Sequence, residues 1–129
     1  MSPTELAAIK PYIDRITAET RTEQLIWTKI NPTTFTWKKT TQGNLEAQLS
    51  IQKTSIQTVA LQGNPPRPVT QTIDNYIFQA IEFPAASIRV NINTQLDPEA
   101  RPLLKELFDA ISVGADREAI NFLKRIFPD

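Results

Sequence analysis

The chain has 129 residues with fourteen basic and fourteen acidic side chains, no cysteine and no histidine. That length suits one domain with a single core (residues 1–129). Thiol nucleophiles, disulfides, thiolate metal sites and imidazole general bases are excluded outright, and zero net charge offers no field that steers the chain toward nucleic acid or an anionic membrane. Polarity is carried instead by fifteen Thr, nine Gln and seven Asn, which favours strands without adding charge.

Ser2, Pro3 and Glu5 form a helix-start pattern, with Ser2 as N-cap and Pro3 at the first helical position. Leu6, Ile9, Ile13 and Ile16 follow as one apolar stripe. Pro11 interrupts that stripe and predicts a kink or two short helices, and the polar run from Thr17 to Gln24 ends the element. Strands are expected over residues 25–30 and 33–39, joined by a turn at Asn31 and Pro32. Phe35 and Trp37 share a face opposite Thr34, Thr36 and Lys38.

A turn at Gln42–Asn44 leads into a strand with Leu45, Ala47, Leu49 and Ile51 inward and Glu46, Gln48, Ser50 and Gln52 outward. Residues 55–61 read as one further short strand, and the Pro-rich stretch 63–72 as a loop. The segment 75–97 holds two more strands. In the first, Ile77, Ile81 and Phe83 alternate with Tyr76, Phe78 and Ala80, making it apolar on both sides. In the second, Ile88, Val90 and Ile92 alternate with Ser87, Arg89, Asn91 and Asn93. Grouping the aliphatic residues into one core leaves Tyr76 and Phe78 beside Arg89 on a face that the chain's own helices or a partner must cover.

Asp97 and Pro98 start a helix carrying Leu103, Leu104, Leu107, Phe108 and Ile111. Gly114 is placed to end it in a left-handed cap, and Asp116 to start a second helix bearing Ala119, Ile120, Leu123, Ile126 and Phe127. The fold class is α+β: an N-terminal helix, a four- to five-stranded antiparallel meander and two C-terminal helices.

Few constellations carry chemistry. Ser50 and Lys53 have Ser-x-x-Lys spacing, but on a strand an odd separation puts them on opposite faces. Asn91, Asn93, Gln95 and Asp97 form an oxygen-rich row with too little charge for a calcium site. Glu82 in the two-sided strand is expected to pair with Arg89 rather than to act as a catalyst. Pro65, Pro66, Arg67 and Pro68 meet only the minimum of a polyproline ligand, and the basic pairs Lys38–Lys39 and Lys124–Arg125 read as solvated ends. No catalytic residue, cofactor or metal ligand is assigned.

The aromatic group remains. Trp27, Phe35, Trp37, Tyr76 and Phe78 either fill the core or, in part, line a groove; Trp37, Tyr76, Phe78 and Arg89 are the candidate partner-binding set. The expectation is a non-enzymatic protein- or peptide-binding module (adaptor, regulator or assembly chaperone) using an aromatic sheet face or an open strand edge. Homodimerisation and binding of a small apolar ligand are the alternatives; nucleic acid and membrane are not expected as partners. The opening helix, the W-x-K and F-x-W segments and N-Y-I-F-Q at 75–79 are similar in cadence to small uncharacterised bacterial proteins, especially the Gln- and Thr-rich ones of cyanobacteria. That resemblance implies a cytoplasmic accessory protein and assigns no residue roles.

Overall fold

In the computed structural model, which describes residues 2–128, two helices cover one face of a five-stranded antiparallel sheet. Helix α1 spans Pro3–Arg21 and the strands are β1 Thr28–Asn31, β2 Thr34–Thr41, β3 Asn44–Gln62, β4 Arg67–Glu82 and β5 Ser87–Asn93. A 3₁₀ turn, Pro98–Ala100, runs into helix α2, Arg101–Ile126. Sheet order follows chain order, β1-β2-β3-β4-β5, as a meander requires when each connection is a short turn.

Helix α1 begins as its sequence dictates, the Ser2 hydroxyl accepting from the Glu5 amide at 3.1 Å. It does not break at Pro11, and it continues through Thr17 and Thr20, both buried. Their hydroxyls donate to the Ile13 and Ile16 carbonyls at 2.9 and 2.8 Å, so two polar side chains enter the interior already satisfied. A proline forfeits one backbone bond. Pro11 does so on the exposed side, while Ile13, two residues on and on the opposite side of the helix, is anchored in the core.

Three further departures concern length. Residues 45–61 form one strand rather than two: β3 runs unbroken for nineteen residues, since nothing between Gln52 and Ser55 supplies a turn. The Pro-rich stretch contracts to a turn at 63–66, and β4 already includes Pro68, opposite Leu61. There β4 has a neighbour on one side only, the edge condition under which a strand accepts proline. Gly114 does not end a helix. The C-terminal region is a single α2 that passes through it, and a Cβ placed at that position would meet nothing within 4 Å.

Register decides which residues enter the core. Phe35 pairs with Ile51, Ile51 with Phe78, and Phe78 with Ile92, giving a buried row across four strands. Ile13, Leu104, Leu107, Phe108 and Ile111 close over that row from the helices. The Phe108 ring meets Phe35 edge-on at 5.5 Å and Tyr76 at 5.7 Å, geometries that aromatic quadrupoles favour. The opposite sheet face, with Thr36, Ser50, Gln79 and Asn91 in register, is polar and is covered by neither helix.

Candidate functional site

The four residues expected to gather in a groove are divided by this register. Tyr76 and Phe78 are 1% and 2% exposed, beneath the chain's own α2. The expectation that they sit beside Arg89 is corrected: they share a face with Ile92 and Val90, not with Arg89 and Asn91. Trp37 is half-buried, packed against the core in a row with Leu49, Ala80 and Val90. Arg89 lies in β5 at the register shift between Ile88 and Val90, and its Nε and Nη2 both donate to Glu82 Oε1, at 3.0 and 2.7 Å. The Glu82–Arg89 pairing is as expected, but both side chains are exposed, so it is a screened surface contact.

Ser50 pairs with Gln79 on the open face, whereas Lys53 lies over the Phe108 ring at 5.6 Å and 3.6 Å from Asp74. The pair is separated as an odd spacing on a strand demands. The amide row is used internally. Asn93 Oδ1 accepts from Asn75 Nδ2 and from the Gln95 amide, each at 3.0 Å, and Asn91 Oδ1 accepts from Gln79 Nε2. Asp97 stands at the head of the 3₁₀ turn and is buried. Among the described residues no group of three or more acids is placed to hold a metal ion.

A polar cluster clamps β4 to the start of α2. The buried Thr94 hydroxyl donates to Asn75 Oδ1 at 2.7 Å and accepts from the Tyr76 amide at 2.9 Å. Arg101 donates to the carbonyls of Asp74 and Thr94. Burial pushes the Tyr76 phenol above its usual pKa, and the nearby Asp74 and Asp109 carboxylates add to the shift. Every buried side-chain polar atom among the described residues has a hydrogen-bond partner, and in this cluster those bonds tie β4 to the residues leading into α2.

A cleft beside Trp27, bordered by Thr20, Leu25, Ile111 and Gly114, has a volume of about 140 Å³. Ligand pockets are typically about 300–1,000 Å³. The Trp27 indole N–H donates to Thr20 Oγ1 at 3.0 Å and so is engaged within the fold.

Besides the open polar sheet face, two projections among the described residues carry exposed apolar side chains. From Ser55 to Gln62 and from Arg67 to Asp74, β3 and β4 pair only with each other, because β2 stops at the Gln52 pairing and β5 begins at Ile77. Eight residues per strand make an arm about 26 Å long. The second projection is the C-terminal half of α2. Val113, Ile120, Phe122, Leu123 and Ile126 are each 49–58% exposed and Phe127 is 74% exposed. The sequence carried the signal for this surface in the spacing of Ile120, Leu123 and Phe127. Expecting a helix break at Gly114 folded that stripe back onto the body instead of extending it. No protein-family model, curated protein or solved structure matches the chain.

Proposed function

We propose that this protein is a non-enzymatic protein-binding module that docks through the apolar stripe on the second half of α2, with the β3–β4 arm as an accessory contact. The observation that carries this reading is the uncovered stripe itself: five large apolar side chains of α2 from Val113 onward, with Phe127 at its C-cap, in a protein whose other large aromatics are mostly packed inside. A contiguous exposed apolar patch of this kind marks an interaction surface, and a helix laid along an apolar partner surface is a standard recognition mode. The role is that of an adaptor, regulator or assembly factor.

Chemistry and charge support it. The arm bears two charged side chains, Arg67 and Asp74, so it lacks the basic track that a nucleic-acid backbone requires. The cleft beside Trp27 is small for a ligand, the larger depressions of about 330 and 370 Å³ are open and lined largely by charged side chains such as Arg21, Glu106, Glu118 and Arg125, and no helix of the described chain is long and apolar enough to cross a membrane. The test is chemical cross-linking and affinity purification of tagged protein beside an Ile120→Glu, Leu123→Glu variant. Both side chains are half exposed, so the variant keeps its circular dichroism and melting temperature. Loss of every protein association in the folded variant is the expected result. An association that survives both substitutions, or none with the unaltered protein, rejects the reading.

A further inference from the structure

We infer that the occupant of the α2 stripe is a second copy of this chain, with the two C-terminal half-helices packed antiparallel about a two-fold axis near Ile120. This rests on the α2 surface proposed above as the docking site and names what covers it.

The charge pattern along the segment supplies the first argument. Its acidic residues, Asp116 and Glu118, come early and its basic pair, Lys124 and Arg125, comes late. Arg117 is the exception, and it is already engaged by Glu23 of its own chain. At about 100° per residue, the apolar residues from Val113 to Phe127 span one half of the helix surface. Lys124 lies just beyond one edge of that arc and Asp116 inside it on the same side, about 30° from its middle, while Glu118 and Arg125 lie beyond the other edge. In an antiparallel pair related by a two-fold axis, each flank meets the same flank of the other copy in reversed order. A centre at Ile120 sets Asp116 level with the other copy's Lys124, and Glu118 within one turn of its Arg125. Val113 then lies level with Phe127, and Ile120 with itself. A parallel arrangement would set acid against acid and base against base. The helix dipoles also favour the antiparallel one.

The area supplies the second argument. Six apolar side chains, half to three-quarters exposed, offer roughly 600 Å² per copy, and the aliphatic stems of the flanking charged residues bring this close to the ~800 Å² per partner of a standard interface. Burying it would give a reversible dimer, with dissociation in the micromolar range.

The experiment is sedimentation of the purified full chain across about 1–200 μM, with two variant sets. The expected result is a mass rising from 14.6 kDa toward twice that value, with association weakened at least about 100-fold in Leu123→Glu and in the charge-reversed Asp116→Lys, Glu118→Lys. The chain has no cysteine, so introduced thiols report geometry cleanly. On oxidation, an equimolar mixture of Val113→Cys and Phe127→Cys chains forms a covalent heterodimer, while neither chain alone cross-links. Three results overturn the inference: a monomer throughout the range, a dimer unaffected by Leu123→Glu, or Val113→Cys cross-linking to itself. A monomer that still binds a different protein through Ile120 and Leu123 overturns the second copy and leaves the docking function standing. A monomer that binds nothing removes both.

Discussion

Replacing Gly114 with alanine is expected to stabilise this protein by about 0.5–1 kcal/mol, the cost of glycine relative to alanine inside a helix. The position lies within α2, its φ is not left-handed, and an added Cβ meets no atom within 4 Å, so no steric penalty opposes the gain. Unfolding a chain of 129 residues releases about 0.27 kcal/mol per kelvin, which converts the gain to a rise of about 2–4 °C in Tm. Had Gly114 ended a helix in a left-handed cap, a Cβ there would cost about 1–2 kcal/mol, and Tm would fall by about 4–7 °C. The two architectures thus differ in the sign of one measurement. Calorimetry and urea titration of both proteins at one matched concentration, so that any self-association contributes equally to each, are the assays. A lowered Tm or urea midpoint with an unchanged m-value would refute the continuous helix, and with it the projection of Ile120, Leu123 and Phe127.

Phe78→Ala removes a ring from the central buried row and is expected to cost about 3–5 kcal/mol, lowering Tm by about 11–18 °C; a shift under about 2 °C would return Phe78 to the surface. Thr94→Val keeps shape but strips the hydroxyl from the Tyr76 amide and from Asn75 Oδ1, costing about 2–3 kcal/mol by urea denaturation, whereas Thr94→Ser restores most of it. The pH dependence follows from Tyr76. Its phenol is raised above 10.0 in the fold, so the neutral form is favoured there. Its contribution is complete below the unfolded pKa and is lost as pH rises beyond it. The decline in urea midpoint between about pH 9 and pH 11 should be shallower in Tyr76→Phe; equal slopes would show that the phenol does not titrate differently on unfolding.

Alternation and spacing alone made the fold class legible. The strand at 44–52, the pair 75–82 and 87–93, the Ser2-capped helix and the apolar stripe at 103–111 all appear where local pattern puts them. Local pattern also showed that β4 is apolar on both faces. Which face would be core is not local information, because it depends on whether Phe78 meets Ile92 or a neighbour one residue away, and a slip of one residue exchanges the faces. The candidate set Trp37, Tyr76, Phe78 and Arg89 rested on that choice.

The sequence by itself determined the chemistry available: no thiol or imidazole, balanced charge, one domain's worth of apolar residues, and an α+β order of elements. Tertiary structure decided where those residues are used. It carried α1 past Pro11 and α2 past Gly114, since packing of Ile13, Leu107 and Ile111 outweighs a local penalty of a few kcal/mol. It also left the second half of α2 without cover, because α1 and the sheet end before that helix does. Propensity acts within a few residues, whereas burial is set by whatever the rest of the chain brings alongside.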